Sequence, residues 1–233
     1  MKYYKMTPAT SINGVVPPGL NGKYVKGKKE FFDNNQCGPD RFYDKDYGFD
    51  YLVPMEFGAG NPKKESHAIY DYHSWWGEAP VGGWLKPLSK HMKEVLAQFQ
   101  LGTHRFYPAW VLFQNQKHDY FVMQIFRNDY QKWIDFDKTV FNNLDSVFDL
   151  EDRTFETKQF ETLAEVWIYA ENHWGSSLNW NYERIVMKSD FPEIDFFTMY
   201  PLGDIVSERL KEAIQKAGLL GMEFEELPVP LEW

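Results

Sequence analysis

Aromatic side chains set the first constraint on this chain, because 9 Trp, 14 Tyr and 19 Phe make up 18% of its 233 residues. Each buried ring removes roughly 150–250 Å² from water, so a chain this rich in rings collapses around a substantial core instead of staying disordered. That core has no covalent staple. The single cysteine, Cys37, excludes an intrachain disulfide framework and a cysteine-rich zinc site. The length suits one large or two small domains.

Hydrophobic spacing supplies the elements. In residues 207–218 (SERLKEAIQKAG), Ser207 can cap the first amides, Leu210, Ala213, Ile214 and Ala217 form one apolar stripe, and Gly218 suits the left-handed position that ends a helix. A half-buried strand follows, in which Met222 and Phe224 alternate with acids. Residues 162–172 fit a helix, yet Val166-Trp167-Ile168-Tyr169 would also make a strand; Thr162 with Glu165 three residues on is the capping-box arrangement and favours helix. Residues 88–99 predict another helix, with Leu88, Met92, Val95, Leu96 and Phe99 on one face and Gly102 just beyond.

Between these helices the period changes. Residues 104–113 (HRFYPAWVLF) and 120–126 (YFVMQIF) flank polar residues 114–119, the pattern of a β-hairpin with a longer loop. Pro108 removes one ladder donor, which predicts an edge strand or a bulge there. Residues 183–187 and 194–199 read as further short strands. Pro17-Pro18-Gly19 and the run Asn34-Asn35-Gln36-Cys37-Gly38-Pro39 mark loops, and from Arg41 to Trp84 aromatics alternate with acids and glycines. The expected fold is α+β: a mixed, mostly antiparallel sheet with a few packed helices and an irregular, aromatic-rich N-terminal part. The expected organisation is a β- and loop-rich part over residues 1–100 and an α+β part over 101–233, with one continuous domain over 1–233 as the alternative.

Charge narrows the function. The chain carries −9 overall, and the imbalance is local: residues 151–233 hold 7 basic and 17 acidic side chains, whereas residues 1–150 hold 18 and 17. General nucleic-acid binding needs Lys and Arg to replace phosphate counterions, so no nucleic-acid partner is expected. An acidic C-terminal third serves solubility, or it steers a basic partner and speeds encounter. The N-terminal MKYYKMTPATSINGVV lacks the apolar run of a signal peptide, and no window of about 18 apolar residues exists to span a bilayer. A cytoplasmic protein without a membrane partner is expected.

Catalytic patterns are sparse. The histidines form no His-Glu-x-x-His or His-x-His pair, and the nearest approach to a metal site, His67-x-x-x-Asp71-x-His73, fits two polar rings at the edge of an aromatic loop better. Cys37 would need a histidine beside it to act as a nucleophile. Gly58-Ala59-Gly60 and Gly82-Gly83 lack the remaining glycines and the helix of a nucleotide-binding loop and read as turns. Carboxylate pairs and the tryptophans Trp75, Trp76, Trp84, Trp174 and Trp180 keep a glycan-active reading open, although each indole taken alone is more commonly core. No catalytic residue, cofactor or metal is expected.

Two stretches carry a family likeness. Residues 104–141 contain Tyr120-Phe121-Val122 and then Asp135-Phe136-Asp137-Lys138; residues 191–227 contain Val206-Ser207-Glu208-Arg209-Leu210-Lys211 and Ala217-Gly218-Leu219-Leu220-Gly221, followed by Glu223-Phe224. This order resembles the immunity-protein families of bacterial polymorphic-toxin and contact-delivered effector systems, in particular the type known as immunity protein eleven. There a Tyr-Phe-Val-like strand precedes an Asp-x-Asp-Lys-Ser turn, and a Val-Ser-x-x-Leu-Lys helix runs into Ala-Gly-Leu-x-Gly. Thr139 stands where that pattern has serine, and residues 1–100 carry no such likeness.

The resemblance implies a single-chain α+β inhibitor that binds a cognate toxin or effector protein with a basic surface, without catalysis. Under that reading Trp174 and Trp180 are candidate aromatic anchors and Glu223 and Glu225 candidate acidic contacts. The plainer reading makes the two indoles core and the two glutamates the solvated face of a strand. Two alternatives differ in class: a carbohydrate-binding or glycan-active protein using Trp75, Trp76 and a carboxylate pair, and an adaptor or chaperone of an effector-delivery apparatus.

Overall fold

The computed structural model describes residues 1–10, 12, 20–23, 51–54, 69–73, 85–113, 116–125, 129–143, 156–176 and 180–233, and leaves the side chains of 20–23, 51–54 and 112 undescribed. Cys37, His67, Trp75, Trp76, Trp84 and both glycine pairs lie outside these residues, as does most of the aromatic-rich run 41–84. Within them the fold is α+β, with three mostly antiparallel sheets. The chain forms two compact units. Unit 1 comprises residues 1–129 and 194–225, and unit 2 comprises residues 130–193 and 226–233. The contacts therefore do not divide the chain at residue 100, because strand β1 (Tyr3–Pro8) pairs with β11 (Gly203–Ser207) from the other end of the sequence, Tyr3 opposite Ser207 and Met6 opposite Asp204.

Unit 1 holds two sheets. In the first, β1 and β11 are flanked by β10 (Phe196–Met199) and β12 (Met222–Glu226), in the order β10-β11-β1-β12. In the second, the order is β2 (Leu20–Lys23), β3 (Tyr51–Pro54), β5 (His104–Phe113), β6 (Gln116–Ile125), β4 (Leu85–Ser89). Helices α1 (Lys90–Leu96) and α3 (Glu208–Lys216) complete the unit. Its core includes Tyr4 and Met6 of β1, Leu88 of β4, Met92 and Leu96 of α1, Met123 and Ile125 of β6, Phe196 of β10, and Leu210 and Ile214 of α3.

Several expectations need adjustment here. Leu88 belongs to β4 and not to a helix: Ser89 accepts from the Met92 amide (3.0 Å) and caps α1, so the helix begins at Lys90, two residues later than the spacing predicts. The hairpin connection is shorter than the polar run suggests, since β5 and β6 stay in register from His104 opposite Ile125 to Phe113 opposite Gln116. Pro108 sits opposite Phe121 with no register shift, inside the sheet and not at its edge. The neighbour on its other side, β3, is only four residues long, so a missing donor there removes little of the ladder.

Around α3 the sequence reading holds. Ser207 Oγ accepts from the Leu210 amide (3.2 Å), and Gly218 takes φ +68° just past the helix. The turn that follows docks on a separate loop: the Leu220 carbonyl accepts from the amides of Asp71 (2.8 Å) and Tyr72 (3.2 Å), and the Gly221 carbonyl accepts from Ala9 (2.9 Å). Gly221 has φ +107°, and a Cβ there would overlap the Tyr72 carbonyl, so this turn admits only glycine.

Unit 2 is built on a sheet in the order β13 (Leu231–Glu232), β9 (Asn181–Val186), β7 (Val140–Asn142), β8 (Thr157–Lys158), with β13 parallel to β9 and the other pairs antiparallel. Phe141, fully buried on β7, is its centre. Its ring lies 5.0 Å from that of Tyr182, 5.7 Å from those of Phe160 and Trp180, and 6.3 Å from that of Phe136. The contacts with Phe160 and Trp180 are edge-to-face, an arrangement that contributes beyond its buried area, whereas Tyr182 is tilted and Phe136 stacked. Helix α2 (Leu163–His173) packs Leu163, Val166 and Ala170 inward. Residues 136–138 form the turn expected of the Asp-rich segment, closed by a 2.7 Å ion pair from Lys138 to Asp135. Among the described residues no helix is long and apolar enough to cross a membrane.

Candidate partner-binding site

Charge separates the two units more sharply than it separates halves of the sequence. Unit 2 contains 6 basic and 15 acidic residues, and unit 1 contains 19 of each. Unit 1 is neutral, so the entire −9 belongs to unit 2. A unit of this size with such a balance presents a negative field to approaching molecules.

Helix α2 is the best-defined part of that surface. Thr162 caps it, its side chain accepting from the Glu165 amide (3.2 Å), while Glu165 Oε2 accepts from the Glu161 amide (3.0 Å), one residue before the cap. The helix is favoured over a strand because both ends are satisfied and three apolar residues fall on one side. The opposite side carries Glu165, Ile168 and Glu171, all exposed, and the exposed Glu161 lies just ahead of the cap. The spacing of three residues makes Glu165, Ile168 and Glu171 successive neighbours along the helix. Ile168 is 63% exposed, an apolar centre in an acidic stripe.

A carboxylate braces this helix from behind. Glu156 accepts from Trp174 Nε1 (2.9 Å) and from Tyr169 Oη (2.7 Å), and these two hydrogen bonds, Trp174's first, hold its carboxyl below its ordinary range. The Tyr169 hydroxyl is correspondingly pushed up by that bond. The Tyr169 ring is contacted by Lys158 Nζ, 4.0 Å from its centroid, and by the stacked His173 imidazole at 4.1 Å.

The four candidate contact residues fall in different places. Trp174 and Trp180 are buried in unit 2, at 5% and 2% exposure: Trp174 meets Phe160 and Tyr169, and Trp180 meets Phe141 and Tyr182. Both indoles pack in the interior, where a partner does not reach them. Glu223 and Glu225 lie on β12 in unit 1. Glu223 accepts from the Thr10 amide (3.0 Å) and hydroxyl (3.1 Å), while Glu225 is exposed. Composition alone did not single out Ile168; its signal was the helical period of 162–172, which turns it away from Val166 and Ala170.

Two buried carboxylates in unit 1 have ligands within the fold. Asp204 accepts from Tyr72 Oη (2.7 Å), Lys86 Nζ (2.8 Å) and Thr198 Oγ1 (2.7 Å), and burial followed by the Asp204 charge drives the Tyr72 hydroxyl well above its ordinary value. Asp195 accepts from Ser207 Oγ (2.6 Å), Arg209 Nε (2.5 Å) and Nη2 (2.7 Å), and the Gln100 amide (2.9 Å). Burial pushes the Asp195 carboxyl up, and the bonds from Arg209, Ser207 and Gln100 outweigh it, leaving the group below its usual range. Of the metal-like trio, His73 Nε2 bonds the Tyr70 amide (2.9 Å), and Asp71 bonds Ser89 Oγ (2.6 Å) and the Leu220 amide (2.9 Å). Among the described residues no group of three or more His, Cys, Asp or Glu is placed to hold a metal. Compared with known proteins, the chain matches no family model and no curated sequence.

Proposed function

We propose that this chain is a non-enzymatic immunity protein that neutralises a cognate bacterial toxin domain by covering it, in the cytoplasm of the cell that makes the toxin. The observation that carries the reading is the charge division: unit 2 holds all of the −9 and displays Ile168 within an acidic stripe on α2. The likeness of residues 104–141 and 191–227 to immunity protein eleven supports it independently. The contact role assigned to Trp174 and Trp180 passes to Ile168, Glu161, Glu165 and Glu171.

The physical division of labour is simple. Acids on α2 steer a basic toxin surface into encounter and set the salt dependence of association. Ile168 supplies a dry centre; covering its exposed part contributes about 1–2 kcal/mol at ~25 cal/mol per Å². Many toxins that attack nucleic acids are basic around their active sites, so an acidic face suits such a partner by taking the place of phosphates.

Co-expression with the toxin domain encoded by the neighbouring gene tests the reading. The native chain is expected to restore growth and to form a stoichiometric complex weakened by salt, and the variant I168D with E161K, E165K and E171K is expected to lose at least tenfold in affinity. Equal protection by the variant removes α2 from the interface. Absence of both protection and complex refutes the immunity reading, whereas binding without protection points to an adaptor.

A further inference from the structure

Unit 1 contains an open cleft of about 510 Å³ where β4 gives way to α1, lined among others by Asp71, Ser89, Lys90, Lys117, His118 and Asp119. Its position follows from the register of the sheet. Strand β4 pairs with β6 from Leu85 opposite Gln124 to Ser89 opposite Tyr120 and there turns into the helix. Strand β6 continues for four more residues, 116–119, paired only with β5 on its far side among the described strands.

The direction of the exposed backbone groups can be worked out. The Pro87 carbonyl accepts from the His73 amide (3.2 Å) and the Ser89 amide donates to the Asp71 carbonyl (2.9 Å), so both face away from β6. Leu88 between them therefore turns its amide and carbonyl toward Phe121. Pro108, which has no amide to give, stands opposite the same Phe121 on β5, consistent with a pair that exchanges no bonds on that side. Alternation along β6 then aims the amides and carbonyls of Asp119 and Lys117 into the cleft.

We propose that this overhang of β6 accepts an extended acidic segment as an added strand, continuing the line that β4 abandons. Main-chain bonds to Asp119 and Lys117 give the attachment, and charge gives the selectivity. Four groups that can carry positive charge stand around the cleft, Lys90 and His91 from α1 and Lys117 and His118 from β6. Of the two acids there, Asp71 spends both carboxylate oxygens on Ser89 and Leu220. Asp119 lies on the same sheet face as Lys117, two residues away, so the incoming strand carries its acids beside Lys117 and Lys90 and a neutral residue beside Asp119. The floor is closed by Tyr120, whose hydroxyl donates to the Tyr70 carbonyl and is pushed up first by burial and then by the Asp71 charge.

Fluorescence anisotropy with a labelled Val-Glu repeat octapeptide and the intact chain tests this. Binding is expected, weakened about tenfold by K90E with K117E, whose native side chains are both exposed, and lost when alternate peptide amides are N-methylated. Circular dichroism of the variant should match the native chain. No binding up to millimolar peptide, equal binding of a Val-Lys repeat, or indifference to N-methylation each overturns the proposal; displacement of the peptide by inorganic pyrophosphate at low concentration overturns it in favour of a plain oxyanion site.

Discussion

Replacing Asp195 with alanine should destabilise unit 1 more than any single loss of an exposed ion pair. The carboxylate is fully buried and ties the start of β10 to two other segments: the Gln100 turn after α1, and the start of α3 through its cap Ser207 and Arg209 in its first turn. Breaking a buried, hydrogen-bonded charge pair costs about 3–5 kcal/mol, chiefly through the partners left behind. Arg209 is 54% exposed and recovers hydration, which brings the figure down to about 2–4 kcal/mol. With a urea slope of ~2 kcal/mol per molar, the midpoint should fall by about 1–2 M.

Asparagine keeps the shape and some acceptor capacity, so Asp195→Asn should lose about half as much. The pH dependence supplies the sharper check. The folded pKa is lowered, so the stability Asp195 contributes is complete above the unfolded carboxyl value near ~3.9 and drains away as pH falls through the folded value. Urea melts between pH 2 and 7 should show a shallower acid limb in Asp195→Asn than in the native chain. An alanine variant within about 0.5 kcal/mol of native, or an unchanged acid limb in the asparagine variant, would refute the reasoning.

Gly221→Ala should cost on the order of 2 kcal/mol or more, since it combines strained backbone with overlap on the Tyr72 carbonyl, whereas Gly218→Ala, with open space around it, should cost only about 1 kcal/mol; thermal melts compare the two. Phe141→Ala should remove about 3–5 kcal/mol from unit 2, followed by the fluorescence of the adjoining Trp180. Thr162→Ala should cost about 1 kcal/mol through the lost cap, while Ile168→Ala should stay within about 0.5 kcal/mol, because that side chain packs mainly against solvent; urea titration reads both.

What the sequence made legible was local chemistry. Ser207, Thr162 and Gly218 announce their helix ends because a cap is a contact between residues three or four apart. Periodicity misplaces the start of α1, since Leu88 points into the same core from a strand as it would from a helix, and only the Ser89 cap tells the two apart. Long-range partners are less readable. Nothing in MKYYKMTP names Gly203–Ser207 as the neighbour of β1, and nothing in the last eight residues assigns them to the sheet of Phe141. The charge division shows the same limit: a cut at residue 150 recovers the acidity of the C-terminal third, but the neutrality of unit 1 emerges only once residues 194–225 are counted with the N-terminal segment.

The pairing of Tyr3 with Ser207 also has a bearing on biosynthesis. The first strand leaves the ribosome about 200 residues before its mate, which at ~5–20 residues per second is an interval of roughly 10–40 s. Throughout that interval Tyr3, Tyr4 and Met6, all destined for burial, are carried on a nascent chain with no sheet to join. Residues 130–193, by contrast, emerge as a contiguous stretch and can begin to condense while their host is still unfinished. Chaperones that shield early apolar segments at the ribosome should therefore matter to the yield of this chain.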